Sequence, residues 1–344
     1  MKCSLYPIRL LGFAVASVLT LTGQTEPVEI ARYSGNRVAA VSYSFDDGTL
    51  GHYNVAAPTL EKYGFRGSFG GNAGKVGDTP EEAATLAARI EKGSNPVRRV
   101  SWQEWRELSA KGHEVANHGL LHRGLPGLTP EQLEQEVNEA ARIITAKVGV
   151  RPLSFIYPGN GRNPVVRDFV LKTHIATRER EHRFGGQGFN LDVANAIIDK
   201  AIKARSAIII MAHVVAEPGY QPTSAEDLDG HLLYVSKLRD KIWVDTMAQV
   251  SRYTRERDAA QLTVKAQGPE SVTFELLCPL DPELFTAPLT CILHPGENVV
   301  PGSVKAERAG SALSVTESGG TALVDVLPGA GVVTVRWKNT GSTK

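Results

Sequence analysis

Two neighbouring carboxylates stand at the end of an apolar run near the start of the chain. Asp46 and Asp47 lie in the segment Ser44-Phe45-Asp46-Asp47-Gly48. Adjacent carboxylates repel each other unless a cation lies beside them, and successive strand residues point in different directions. The pair could therefore serve two different roles beside a cation. Taken alone, it is equally consistent with an ordinary Asp-Gly turn.

Three histidines further along the chain could complete such a site. His118 and His122 are four residues apart, a spacing that puts both imidazoles on one face of a helical turn. An aspartate and two histidines provide the three protein ligands and the open position of a catalytic zinc site. His213 ends the apolar segment Ser-Ala-Ile-Ile-Ile-Met-Ala-His. Taken singly, the first two are consistent with unrelated surface histidines and the third with a buried core histidine.

A glycine-rich turn follows another apolar segment. The sequence Phe-Ile-Tyr-Pro-Gly-Asn-Gly covers residues 155–161 and bends sharply after a predicted strand. Such a turn can aim main-chain N–H groups at a substrate oxygen, or it can simply connect a strand to a helix. The carboxylate pair, the histidine pair, this turn and the last histidine all follow successive predicted strands. Together they indicate a metal-assisted hydrolase.

Short apolar segments alternate with amphipathic ones through the first two thirds of the chain. Capping boxes at Ser101 and Thr129 begin two of the predicted helices. Alternating strands and helices predict a parallel sheet, and seven strands suit a barrel with its functional residues at the strands' carboxyl ends. The predicted strands are Val38–Ser44, Phe65–Phe69, Glu114–Asn117, Leu153–Tyr157, His174–Thr177, Ala207–His213 and Ile242–Val244.

The last part of the chain has a different pattern. After about residue 258, short apolar segments are separated by Gly and Pro turns, without a helical period. This pattern predicts a small β-sandwich over 261–344, following a barrel domain over 27–257. Cys278 and Cys291 lie in the sandwich, where they could form a disulfide or remain two buried free thiols.

The N-terminus has the pattern of a targeting segment. Residues 1–24 place Lys2 and Arg9 before an apolar run from Leu10 to Leu19, which predicts a secretory signal peptide and a secreted or periplasmic protein. The run is too short for a transmembrane anchor. The 344 residues are 42% hydrophobic and 22% charged, a composition that excludes a disordered chain. The net charge of +1 argues against a nucleic-acid partner. The oligomeric state stays open.

Four motifs in this order resemble those of the polysaccharide deacetylases, the NodB-like domain of carbohydrate esterase family 4. SFDDG is similar to the first motif, NHGLLH to the second, FIYPGNGRN to a short form of the third and IIIMAH to the last. The resemblance covers roughly residues 37–257. It implies an α/β fold with a distorted (β/α)7 barrel, in agreement with the seven predicted strands.

The resemblance also implies a role for each motif residue. The cofactor would be Zn²⁺ or another divalent metal such as Co²⁺. The resemblance implies that Asp46 is the general base and His213 the general acid. It implies that the metal ligands are Asp47, His118 and His122. The main chain around Tyr157, Pro158 and Gly159 would bind the oxyanion.

The chain departs from the family pattern at three points. Gly119 stands where the second motif usually has Ser or Thr, which removes a hydrogen bond that braces the metal loop. The third motif lacks its Arg-x-Pro-Tyr spacing, and Arg151 lies before the strand. The Asp-rich fourth motif is missing, and Arg178 or Asp192 is a candidate substitute. His52 is a further candidate for lining the pocket because it closely follows the aspartate pair.

The sequence therefore predicts a metal-dependent hydrolase that removes acetyl groups, N-acetyl in preference, from a cell-wall or extracellular polysaccharide. Two alternatives stay open. One is a carbohydrate-binding protein on a barrel that no longer catalyses, and the other is a hydrolase of small linear amides. The sequence does not distinguish among candidate polysaccharides.

Overall fold

The computed structural model describes residues 26–90, 98–318, 320–329 and 331–341. The predicted signal peptide, residues 1–24, lies outside these residues. Across the described part of the chain, no helix has both the length and the apolar character needed to span a bilayer.

The elements follow the alternation expected from the sequence, first strands with helices and then strands alone. The strands are β1 Val28–Ile30, β2 Ala39–Phe45, β3 Ser68–Gly71, β4 Glu114–Asn117, β5 Ser154–Phe155, β6 Ala176–Thr177, β7 His182–Arg183, β8 Ala207–Ala212, β9 Ile242–Val244, β10 Gln261–Gly268, β11 Ser271–Leu277, β12 Leu289–Leu293, β13 Lys305–Arg308, β14 Ser311–Leu313, β15 Val315–Ser318, β16 Thr321–Val326 and β17 Val333–Arg336. The α-helices are α1 Ala57–Lys62, α2 Pro80–Ile90, α3 Trp102–Ala110, α4 Pro130–Leu133, α5 Ala140–Val148, α6 Pro164–Val170, α7 Leu191–Ala204, α8 Ala225–Ser236 and α9 Met247–Ala259.

The strands of the first part form one curled parallel sheet. Its order is β6-β5-β4-β3-β2-β8-β7, and β9 also pairs with β2. The two edge strands β6 and β7 are joined by residues 178–181 and are not paired with each other among the described residues, so the barrel stays open there. The predicted α/β barrel is confirmed. The sequence missed β7 because its two residues are exposed and polar and make no apolar run.

Strand β2 lies in the middle of this sheet and carries polar side chains into the barrel. Its residues alternate: Val41 and Phe45 pack outward in the main apolar core, while Ser44 points to the other face. Every residue of β2 is buried, as expected of a parallel strand that is covered on both faces. Because Asp46 continues this alternation, its carboxylate enters the barrel at the carboxyl end of the strand.

Both predicted capping boxes are present and begin helices that flank the site. Ser101 caps α3, and Thr129 caps the long helical stretch from α4 to α5. A π-helical segment, Glu134–Glu139, joins α4 to α5, and a second, His52–Ala56, leads into α1. The stretch ends where Gly149 adopts φ 85°, a left-handed conformation that glycine accepts without steric cost.

The C-terminal region is built from two antiparallel sheets. Their orders are β1-β12-β16-β15 and β10-β11-β17-β13-β14, and their inner faces share one apolar core. Strand β1 pairs with β12, so residues 28–30 join this region although they precede the barrel in the chain. Cys278 and Cys291 are both free thiols, so the alternative without a disulfide is the one that the structure shows.

Candidate active site

Asp46 and Arg178 form a buried ion pair at the carboxyl end of β2. Arg178 donates two parallel hydrogen bonds to the carboxylate, Nη1 to Oδ1 at 2.5 Å and Nη2 to Oδ2 at 2.6 Å. The guanidinium also donates to Ser44 Oγ and to Asn160 Oδ1, each at 3.0 Å. Burial pushes the pKa of Asp46 upward, but Arg178, with smaller contributions from His118 and His213, holds it below its ordinary value. Asp46 is therefore an ionised, fixed carboxylate at neutral pH.

Asp47, His118 and His122 come together beside this pair. Asp47 Oδ1 lies 3.4 Å from His118 Nε2 and 3.3 Å from His122 Nε2, and the three candidate donor atoms lie within 4.8 Å of one another. Asp47 has φ 74° and His122 has φ 64°. Residues other than glycine rarely adopt this left-handed backbone conformation, and such backbone strain is typical of functional sites.

The hydrogen bonds of His118 show that this cluster suits a cation. His118 Nδ1 lies 2.9 Å from the carbonyl oxygen of Ile156, which can only accept, so Nδ1 carries a proton. In neutral imidazole, Nε2 is then a bare lone pair facing the Asp47 carboxylate. Two acceptors facing each other repel unless a cation lies between them. One carboxylate and two imidazoles form a donor set that a divalent metal such as zinc prefers.

The loop between the two histidines is braced from the neighbouring helix. Glu136 is buried in the π-helical segment, and its Oε2 accepts the main-chain N–H groups of Leu120 and Leu121, each at 3.1 Å. Gly119 has φ 83°, and a Cβ there would lie only 3.0 Å from this oxygen. The loop is therefore braced without a Ser or Thr hydroxyl at position 119. Glu136 accepts the hydrogen bonds of the loop, and Gly119 leaves room for the Glu136 carboxylate.

Replacing Glu136 with Ala is expected to weaken zinc binding about 10- to 100-fold, because two loop N–H groups would lose their acceptor. The loop would then hold His118 and His122 less firmly. Glu139→Ala is the matched control, since Glu139 pairs on the surface with Arg142 in the same helical stretch. Competition titration against a chromogenic chelator measures both affinities. Equal zinc affinity in Glu136→Ala and wild type would contradict the bracing role.

His213 follows β8 and faces Asp46. Its Nε2 lies 3.9 Å from Asp46 Oδ2. Its Nδ1 is buried and has no hydrogen-bond partner in the described part of the chain. The family's Asp-rich motif therefore has no counterpart here that holds this nitrogen. Asp192 does not take that place, because it is exposed in the first turn of α7 and no ion pair joins it to His213.

His52 lies behind His213 rather than on the pocket surface. It is completely buried, and its Nε2 hydrogen-bonds the main-chain oxygen of His213. Burial lowers the pKa of His52 to about 4, so the ring is neutral at physiological pH and Nε2 can donate to that oxygen. His52 thus ties the segment after β2 to the segment after β8.

The turn at 157–161 borders the metal cluster. Tyr157 and Pro158 are buried, and Gly159 has φ 59°. The Tyr157 carbonyl oxygen accepts the N–H of Asn160 at 3.0 Å. The N–H of Tyr157 has no acceptor among the described residues. The preceding residue, Ile156, contacts His118. A main-chain donor thus lies next to a candidate metal ligand.

Arg178 is the arginine that pairs with Asp46, a contact that the sequence did not predict. The motif arginine was missing, and Arg151 lies at the opposite side of the strand, where it donates to the main chain of Thr173. Arg178 follows β6 and reaches Asp46 across 132 residues of sequence. Sequence reasoning missed Ser44, Asn160 and Glu136. Ser44 and Asn160 had a sequence signal, since Ser44 shares the inward face of β2 with Asp46 and Asn160 lies in the predicted glycine-rich turn, whereas Glu136 had none.

Residues 35–176 match the family model described as polysaccharide deacetylase. A gellan lyase of a Bacillus species is 23% identical over 299 residues, which are 76% of this chain and 11% of that protein. A crystal structure of the family 4 carbohydrate esterase of Streptomyces lividans with acetate is 17% identical, with a TM-score of 0.40, and the match covers 60% of this chain and 91% of that one. This chain thus spans only about a tenth of the gellan lyase.

The matched segment contains both aspartates, both histidines of the metal cluster and the turn that borders them. The parallel half-barrel that carries them is the fold expected for this family. Residues 35–176, less than half of this chain, are therefore similar to the polysaccharide deacetylase family.

Proposed function

We propose that this protein is a metal-dependent hydrolase that removes acetyl groups, N-acetyl in preference, from a polysaccharide outside the cytoplasm. One observation carries the proposal: an ionised carboxylate, a three-residue metal cluster and a histidine meet at the carboxyl ends of β2, β4 and β8. A protein that only bound carbohydrate would need neither an acid nor a base. In this proposal residues 27–257 are the catalytic domain and 261–344 the accessory domain.

Asp47, His118 and His122 are the proposed ligands of a divalent metal, with zinc expected. When bound, the metal would supply Lewis-acid polarisation of the acetyl carbonyl and would lower the pKa of a water molecule in the site. Asp46 is the proposed base, which takes the proton of the attacking water. Its bidentate pair with Arg178 keeps the carboxylate ionised and in one orientation.

His213 is the proposed acid. An amine leaves poorly unless it is protonated, and the Nε2 of His213 lies on the same side as Asp46, at 3.9 Å. A proton on Nε2 can pass to the sugar nitrogen as the carbon–nitrogen bond breaks. The N–H of Tyr157 is the proposed main-chain donor to the developing oxyanion, supported by its lack of another acceptor among the described residues.

Acetate release from a panel of acetylated glycans tests this function. The panel contains peptidoglycan, chitin, acetylated xylan and an acetylated exopolysaccharide, and chelator-treated protein is compared with zinc-restored protein. We expect release from at least one glycan, at least 100-fold loss on metal removal, and recovery with zinc. No release from any of them by protein holding stoichiometric zinc would contradict the proposed function.

The predicted signal peptide supports the choice of an extracytoplasmic substrate. Expression of the full chain with a C-terminal tag, followed by fractionation, should place the protein outside the cytoplasm with residues 1–24 removed. N-terminal sequencing of the recovered protein measures this directly.

A further inference from the structure

Tyr220 is an exposed aromatic side chain beside the proposed acid. Its side chain is 65% exposed, whereas every other Tyr, Phe and Trp of the described residues is buried or partly buried. The Tyr220 ring meets the His213 ring edge to face, with centroids 4.8 Å apart and planes at 81°. A large aromatic surface is thus left open to solvent beside the reacting groups.

The loop that carries Tyr220 has a fixed conformation. Thr223 N–H donates to the carbonyl of Val214 at 2.8 Å and closes the loop at its base. Gly219, directly before the tyrosine, has φ 156°, and a Cβ there would lie 2.8 Å from Val214 Cγ2. The loop packs so closely at this point that only glycine fits without a shift. The position of Tyr220 is therefore set by the fold.

The same loop is tied to the other side of the site. Glu217 accepts the main-chain N–H of Gly51 at 3.0 Å, and His52 bonds the main chain of His213. These contacts connect the Tyr220 loop to the segment that follows Asp46 and Asp47.

We propose that Tyr220 is the stacking surface for a pyranose ring of the substrate, at the sugar unit that carries the acetyl group or its direct neighbour. This inference rests on the function proposed above. The C–H face of a pyranose is apolar and fits an aromatic ring, while the exposed tyrosine hydroxyl accepts a hydrogen bond from Gln221 Nε2 at 3.2 Å. Leu121, 40% exposed and directly before the metal ligand His122, provides apolar surface beside the other half of the site. An amide without a sugar would have no use for the Tyr220 face.

Steady-state kinetics on the glycan that wild type hydrolyses best tests this role. Tyr220→Ala should raise KM about tenfold and leave kcat within about threefold, because stacking holds the sugar in the ground state and the transition state alike. Tyr220→Phe keeps the ring and should restore a wild-type KM. Val193→Ala, an exposed apolar change on α7, is the control for loss of surface area alone.

An unchanged KM in Tyr220→Ala would overturn the proposal. So would a fall in kcat with a shifted pH profile and unchanged KM, since Tyr220 would then act by orienting His213. A second measurement does not depend on turnover. Calorimetric titration of a β-1,4-linked N-acetylglucosamine pentasaccharide and an acetylated xylan oligosaccharide into Asp46→Asn protein should show about tenfold weaker binding when Tyr220→Ala is added. Equal binding of both sugars with and without the ring would overturn the stacking role. Failure of the proposed function alone would appear as binding that depends on the ring, together with no acetate release by the wild-type protein.

Discussion

Asp46→Asn is expected to lower the rate of acetate release at least 10³-fold while the protein still binds one zinc ion per chain. Asparagine has the shape of aspartate but cannot take a proton from water, and general-base catalysis contributes 10²- to 10⁴-fold. Asp46 is not one of the three clustered metal-ligand candidates, so the metal site is expected to stay intact. Initial rates and metal content, measured on the same preparation, check both statements.

The comparison variant is Asp47→Asn, one residue away in the same strand-end turn. This change weakens a metal-ligand candidate, so zinc content and activity should fall together. If Asp46→Asn keeps near-full activity, the assignment of the base is wrong. If Asp46→Asn loses zinc as Asp47→Asn does, Asp46 belongs to the metal site and the division of roles between the two carboxylates is wrong.

Arg178→Leu is expected to lower the free energy of unfolding by about 3–5 kcal/mol, because removing one partner of a buried ion pair leaves the other charge uncompensated. Asp46 and Arg178 are both nearly inaccessible, and their two hydrogen bonds would be lost together. Urea denaturation measures the change. Arg336→Leu is the control, since Arg336 pairs with Glu307 at the surface. A change below about 1 kcal/mol in Arg178→Leu would contradict a buried, matched pair.

The same pair predicts a pH effect with a definite sign. Arg178 holds the pKa of Asp46 below its ordinary value, so the pair stabilises the fold above the unfolded pKa of about 4 and loses this contribution as pH falls through the lower folded value. Without Arg178, the main lowering influence on the pKa of Asp46 is lost while burial remains, so that pKa rises. The acid limb of the pH–rate profile should therefore move to higher pH in Arg178→Gln, and less so in Arg178→Lys. An acid limb that does not move would show that Asp46 ionisation does not limit the rate.

The sequence predicted those parts of the site that directly follow predicted strands. Asp46 and Asp47 come directly after β2. His118 and His122 do meet, but not on the predicted helical turn, because the residues between them form a loop in which Gly119 and His122 have left-handed backbone conformations. Parallel strands bring their carboxyl ends to one edge, so the clustering of Asp47 with the two histidines followed from the fold class. The seven predicted strands are all present in the sheet for the same reason.

The parts that the sequence did not predict depend on how distant segments meet. Arg178 reaches Asp46 only because the curled sheet brings the end of β6 across to β2, and no local pattern records that curvature. Glu136 lies in the mostly polar segment Glu134–Glu139, where the sequence does not distinguish it from Glu134 and Glu139, and its role depends on the space above Gly119. The missing hydroxyl at position 119 is visible in the sequence, whereas the carboxylate that accepts from the metal loop is not.

We propose that one metal ion, held by Asp47, His118 and His122, makes this barrel an acetyl hydrolase. Titration of Zn²⁺ into chelator-stripped protein, with acetate release from the best glycan of the panel recorded at each step, tests this proposal. We expect activity to rise linearly and saturate at one zinc per chain, and His118→Ala to give no rise over the same range. Full zinc occupancy without acetate release, or release that is indifferent to zinc, would contradict it.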